Sequence, residues 1–167
     1  MSRAPFQLAP FNTAHDRAAF DSDSEPLNRY LQEQVNQDIR RRVAACFVAL
    51  ADKQRIVGYY TLASASLLLS DLPASTGKKL PRYPTVPAVR MGRLAVDQAF
   101  QGQGLGSALL ADALNRAAYS EIAAFALMVD AKDEVAAAFY RLHGFMASWL
   151  HGLARLAADP VFTSGNC

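Results

Sequence analysis

Only two cysteines occur in this chain of 167 residues, Cys46 and Cys167, far apart and without histidine neighbours. That spacing excludes a cysteine–histidine metal cluster. Cys46 lies in the apolar run 43–51 and reads as a buried reduced thiol. Long apolar runs are missing as well: no segment approaches the ~18 residues a membrane-crossing helix needs. The opening MSRAPFQLAPFNTAHDR lacks the continuous apolar stretch of a secretory leader, so the cytosol is the expected compartment and no membrane is involved. Charge of one sign is scarce too. A formal net charge of +2 does not by itself announce a nucleic-acid binder. With 51% apolar and 19% charged residues the composition excludes a disordered chain. No linker or repeat is visible, so residues 1–167 are expected to form one domain.

The elements follow from periodicity and punctuation. After Ser24-Glu25-Pro26, Leu27, Leu31, Val35 and Ile39 recur at four-residue steps, which predicts a helix over 24–42. The triplet Arg40, Arg41 and Arg42 falls at its C-terminal end, where cations complement the helix dipole. Residues 44–51 and 55–65 read as strands joined by the polar turn Asp52-Lys53-Gln54. Pro73, Pro81, Pro84 and Pro87 predict an irregular loop over 66–87. Residues 88–96 read as a strand, 103–118 as a helix, 123–130 as a strand and 133–143 as a helix. Residues 145–150 could form a strand, and 151–158 a strand or a helical turn. Strands alternating with helices after an antiparallel start predict an α/β sheet.

Chemistry concentrates in Gly92-Arg-Leu-Ala-Val-Asp-Gln-Ala-Phe-Gln-Gly-Gln-Gly-Leu-Gly106. Glycines at 102, 104 and 106 strip side chains from the start of a helix. Backbone N–H groups can then converge on an anion that the helix dipole also favours, and a pyrophosphate suits such a place. The spacing is not that of a dinucleotide fold, and no Gly-Lys-Ser/Thr phosphate loop follows.

The order Gln101-x-x-Gly104-x-Gly106 resembles the pyrophosphate loop of GNAT acetyltransferases. A second stretch, Val129-Asp-Ala-Lys-Asp-Glu-Val-Ala-Ala-Ala-Phe-Tyr-Arg-Leu-His-Gly-Phe145, resembles the second cofactor-binding segment of the same family. The resemblance spans about residues 18–145. It implies the GNAT fold: a mixed central sheet, flanked by helices and splayed between two parallel strands that end near Val96 and Val129. It implies acetyl-CoA as cofactor, held by Leu94, Ala95 and Val96 along one strand and by Gln101, Gly102, Gln103, Gly104, Leu105, Gly106 and Ser107 at the loop. Asp133, Ala136 and Phe139 are implied in the second segment, with Tyr140 as the catalytic residue. Many members carry asparagine where Asp133 stands, and an ionised aspartate caps a helix but donates no hydrogen bond. A backbone N–H near Leu94–Val96 would stabilise the oxyanion formed when an amine attacks the thioester, and the Tyr140 hydroxyl would serve the leaving thiolate. None of His15, His143 and His151 holds a base position, which suits an amine already neutral near pH 7, such as an esterified α-amino group.

Six segments carry a narrower resemblance: Phe20-Asp21, Leu27-Asn-Arg-Tyr-Leu31, Val57-Gly-Tyr-Tyr-Thr-Leu62, Leu80-Pro-Arg-Tyr-Pro84, Gly92-Arg-Leu-Ala-Val-Asp97 and Val129-Asp-Ala-Lys-Asp133. They are similar to the GNAT toxins of bacterial toxin–antitoxin systems. That implies a toxin acetylating the amino group of aminoacyl-tRNA, a ribbon-helix-helix antitoxin as partner, and a homodimer. Arg93, Arg90, Lys78, Lys79, Arg82, Arg40 and Arg41 are then the candidate tRNA contacts, although solvated surface charge explains each of them singly. Two other readings stand beside it, a GNAT enzyme for a small amine or a protein amino group, and a non-catalytic acyl-CoA-binding module.

Overall fold

The computed structural model describes residues 6–72, 77, 78, 80, 82–147 and 152–155. Lys79, Cys167, His151 and most of the alanine-rich tail from Trp149 onward lie outside the described residues. Two compact units emerge, residues 1–63 with 92–113, and residues 64–91 with 114–167.

In the first unit, β1 (Gln7–Pro10), β2 (Ala45–Ala51) and the start of β3 (Arg55–Leu68) form an antiparallel array. The β2–β3 hairpin turns through Asp52–Gln54, where Lys53 and Gln54 both take left-handed φ values, 61° and 60°. The edge strand β1 was not legible in the sequence. It is short, and it ends in a proline, which an edge position tolerates.

The expected helix over 24–42 divides into α1 (Glu25–Arg29), a π-helical turn Tyr30–Gln34 and α2 (Val35–Arg40). The spacing of the apolar stripe gives the reason. Four-residue steps advance about 40° each around a helix of 3.6 residues per turn, so Leu27, Leu31, Val35 and Ile39 would drift off one face. The wider turn, closed by the Val35 N–H donating to the Tyr30 carbonyl, takes up that drift. Leu31 and Val35 are fully buried, and Leu27 and Ile39 pack against the same core of Phe20, Tyr30, Val48, Leu50, Ile56, Tyr59 and Ala95.

Alternation along β3 sends Tyr59 toward this helical stretch, where its hydroxyl donates to the Leu27 carbonyl at 2.6 Å. Gly58 and Tyr60 face the other way, toward α3 (Leu105–Ala118). A Cβ at Gly58 would lie 2.9 Å from Leu109 Cδ1 and 3.3 Å from the Ala95 carbonyl oxygen. The Leu109 methyl can swing away, but the strand carbonyl cannot. Gly58→Ala should therefore cost about 1–3 kcal/mol by overpacking. Urea unfolding checks this through a lowered midpoint at unchanged slope.

In the second unit, β4 (Thr85–Val96) pairs in parallel with β5 (Ala126–Val129), from Ala88↔Ala126 to Met91↔Val129. All four residues of β5 are buried, as befits a parallel strand covered on both faces. β7 (Gly152–Arg155) runs antiparallel to β5, and β6 (Met146–Ala147) antiparallel to β7. Strand neighbours follow the order β1-β2-β3-β4-β5-β7-β6, a mixed sheet. The helix α4 (Glu134–Leu142) follows β5. The proline-rich stretch is shorter than expected, because β3 extends to Leu68 and β4 starts at Thr85. Pro87 is accommodated inside β4, where its carbonyl accepts the Phe125 N–H at 2.9 Å.

Candidate active site

β5 ends at Val129 opposite Met91, whereas β4 continues to Val96. The continuation carries Leu94, Ala95 and Val96. Ala95 belongs to the core of the first unit, while Leu94 and Val96, on the opposite face, are half-buried. Beyond Val96 the buried Asp97, 4% exposed, caps the short turn Gln98–Phe100 by accepting the Ala99 N–H at 2.9 Å. Its own N–H donates to the Val57 carbonyl at 2.9 Å, and Arg55 pairs with its carboxylate at 3.8 Å.

The chain then enters the glycine loop. Gly102 and Gly104 have φ values of +77° and +80°, the left-handed region where a β-carbon is penalised. Among the described residues, no atom beyond the chain neighbours lies within 4 Å of where their β-carbons would be, so the backbone conformation, not lack of room, calls for glycine. Gln101, Gly102, Gln103 and Gly104 are exposed, and Leu105 is buried as the first residue of α3. The Ala108 N–H donates to the Gly104 carbonyl at 3.0 Å. Amides at the start of a helix point outward along its axis. Exposed glycine backbone at a helix N-terminus therefore fits a pyrophosphate, with Gly106 and Ser107 in the first turn. The Gln101 side chain does not reach outward. Its Nε2 donates to the Val96 carbonyl at 3.0 Å and to the Ser22 carbonyl at 3.4 Å, tying the loop down.

In the second unit, Asp133 caps α4 by accepting the Ala136 N–H at 2.8 Å. That occupies the carboxylate in the local role expected of it. Tyr140 is 9% exposed, with its ring 5.5 Å from that of Phe145 and 5.4 Å from that of Phe139. Past the end of the helix at Leu142, Gly144 turns the chain at φ +88°, and the Phe145 N–H returns to the Tyr140 carbonyl at 3.1 Å. The Gly-Phe pair thus closes the helix and plugs its underside, which fixes the tyrosine ring. Burial, with the charge of Asp130 second, pushes the Tyr140 hydroxyl up to about 12. Among the described residues that hydroxyl has no hydrogen-bond partner. It therefore keeps its proton at every physiological pH. His143 Nδ1 lies 2.8 Å from the Phe139 carbonyl oxygen.

The basic residues separate into two groups. Arg40, Arg41, Lys78 and Arg82 are exposed and make no ion pair among the described residues. Arg90 instead pairs with Asp130, and the Arg93 guanidinium lies 3.6 Å over the ring of Tyr30. These two already hold structural partners that no motif announced. Reasoning from the sequence also missed Asp97, Asp21 and Asn28 as site-building residues. The only trace of them was their presence in the recurrent segments Phe20-Asp21, Leu27-Asn28 and Val96-Asp97.

Residues 11–145 match the Acetyltransferase (GNAT) family. The chain is 38% identical over 129 residues, 76% of each sequence, to a tRNA-acetylating toxin of Mycobacterium tuberculosis (strain ATCC 25618 / H37Rv). Among solved structures, AtaT complexed with acetyl-methionyl-tRNAfMet aligns with a TM-score of 0.84 at 28% identity, covering 90% of this chain and 94% of that one. AtaTR bound with AcCoA aligns with a TM-score of 0.78 at 26% identity, covering 91% and 94%. The match takes in β4, the glycine loop and the Tyr140 helix together, and the chain belongs to the GNAT acetyltransferase family.

Proposed function

We propose that this chain is an acetyl-CoA-dependent N-acetyltransferase that acts as a toxin by acetylating the amino group of aminoacyl-tRNA. The exposed, left-handed glycine loop that β4 leads into at the start of α3 carries the reading. Its kinship with a tRNA-acetylating toxin at 38% identity narrows the substrate. Acetyl-CoA supplies the thioester. The amides of residues 101–107 hold its pyrophosphate, and a backbone N–H along Leu94–Val96 faces the developing oxyanion. The Tyr140 hydroxyl gives its proton to the departing sulfur, and the proton that the amine sheds on becoming an amide restores the hydroxyl by way of solvent. Asp133 contributes by fixing α4 rather than by donating to cofactor, with Ala136 and Phe139 beside it. No general base is needed for an aminoacyl ester, whose amine loses its proton more readily than the ~7.7–8.0 of a free α-amino group. Such a reaction takes place where translation does, in the cytoplasm. A toxin of this kind requires a neutralising partner, for which a ribbon-helix-helix antitoxin is the candidate, and a homodimer is the expected assembly.

Incubation with charged total tRNA and labelled acetyl-CoA tests the reading. Label should appear on the aminoacyl end and disappear on mild alkaline deacylation. Label that reaches only free polyamines, amino sugars or peptides would replace the tRNA substrate by a small amine.

The exposed cations at the end of α2 give a quantitative check. Arg40→Glu with Arg41→Glu should weaken tRNA acetylation and flatten its dependence on salt by about one unit of log–log slope for each phosphate no longer neutralised. Acetyl-CoA affinity should not change. An unaltered salt slope would remove this patch from the tRNA surface.

A further inference from the structure

The turn Asp21–Asp23 is held from three sides at once. From α1, the Asn28 Nδ2 donates to Asp21 Oδ1 at 2.9 Å, and Asn28 Oδ1 accepts both the Ser22 N–H at 2.8 Å and the Ser22 hydroxyl at 2.9 Å. From the end of β4, the Asp97 carboxylate accepts the Asp21 N–H at 3.1 Å, and the Gln98 N–H donates to the Asp21 carbonyl at 2.9 Å. From the glycine loop, Gln101 Nε2 donates to the Ser22 carbonyl. Asp23 takes a left-handed φ of 69°, a conformation that a non-glycine residue keeps only where its surroundings impose it.

Among the described residues Asn28 makes no hydrogen bond to the glycine loop, yet it holds the N–H and the hydroxyl of Ser22, whose carbonyl is one of two anchors for the Gln101 side chain. Without the Asn28 amide, Ser22 keeps its contacts with Ser24 and the backbone anchors of its neighbour Asp21, and its carbonyl is held less firmly toward Gln101. Hydrogen bonds from Asp23, Asn28 and Gln98 hold the Asp21 carboxyl below its ordinary range.

We propose that Asn28 is a positioning residue for the pyrophosphate loop, acting through Ser22 on Gln101. The inference rests on the assignment of residues 101–107 as that loop. Asp21, Asn28 and Asp97, scattered in sequence, thus meet at one turn that registers the start of α1 against the cofactor loop.

Calorimetric titration of the full chain with acetyl-CoA tests it, using Asn28→Ala, Gln101→Ala and the double variant, each checked by thermal melting. Each single change should raise Kd roughly three- to tenfold, the worth of about one hydrogen bond. The double variant should be no weaker than the worse single one, because both changes cut the same linkage. A wild-type Kd in Asn28→Ala, or effects that multiply in the double variant, would overturn the proposal. Gly104→Val separates the two levels of failure. If it binds acetyl-CoA normally, the loop assignment itself falls; if it loses binding while Asn28→Ala does not, only the coupling falls.

Discussion

Tyr140→Phe should lower kcat for tRNA acetylation by roughly 10²–10⁴-fold, the range for loss of a general acid, and leave acetyl-CoA affinity near wild type. The ring is what the fold uses: it packs on Phe139 and Phe145, and phenylalanine keeps that packing. The hydroxyl has no partner among the described residues, so its removal strands no donor or acceptor there. Melting should therefore barely move. With the hydroxyl pushed up to about 12, it stays protonated over the range in which the protein can be assayed. The wild-type rate should consequently rise with pH as the acceptor amine loses its proton, without a descending limb from Tyr140 below about pH 10. In cells, expression without an antitoxin should arrest growth, and the substitution should relieve the arrest. Turnover within twofold of wild type would remove Tyr140 from the mechanism.

How far the sequence could be read depended on whether a feature was local. α3 and α4 were legible because apolar spacing, a capping aspartate and closing glycines are all near neighbours. The glycine loop was legible for the same reason, and Gly102 and Gly104 do adopt the left-handed conformation that only glycine enters freely. The π turn was hidden although its cause was present: the four-residue stripe looked like good helix, and its slight mismatch with 3.6 became a defect only through packing. β1 was hidden because a four-residue edge strand owes its existence to its neighbour rather than to itself. Partners were hidden most deeply. Arg93 and Arg90 looked like free cations until Tyr30 and Asp130 were seen beside them. Asp97 drew no reading of its own until its buried carboxylate was seen to accept amides from two segments. Such pairings join residues far apart in the chain, and no periodicity records them.

Gly104→Val should abolish acetyl-CoA binding, with an affinity loss beyond roughly 100-fold if bound phosphate needs the bare backbone there. Two causes would act together, and they can be separated. A β-branched residue at φ +80° is strained, which costs about 1–3 kcal/mol and could reshape the loop without any ligand. Among the described residues, no atom beyond the chain neighbours stands within 4 Å of the added β-carbon, so clash with them contributes nothing. What remains is occupancy of the phosphate's approach. Asparagine divides the two causes, because it enters the left-handed region more readily than other side chains yet projects the same β-carbon. If approach decides, Gly104→Asn melts near wild type and still fails to bind acetyl-CoA. If backbone strain decides, Gly104→Asn binds nearly normally and only the valine variant fails. Calorimetry and thermal melting of both variants distinguish these outcomes. Normal binding by the valine variant would move the pyrophosphate away from this loop altogether.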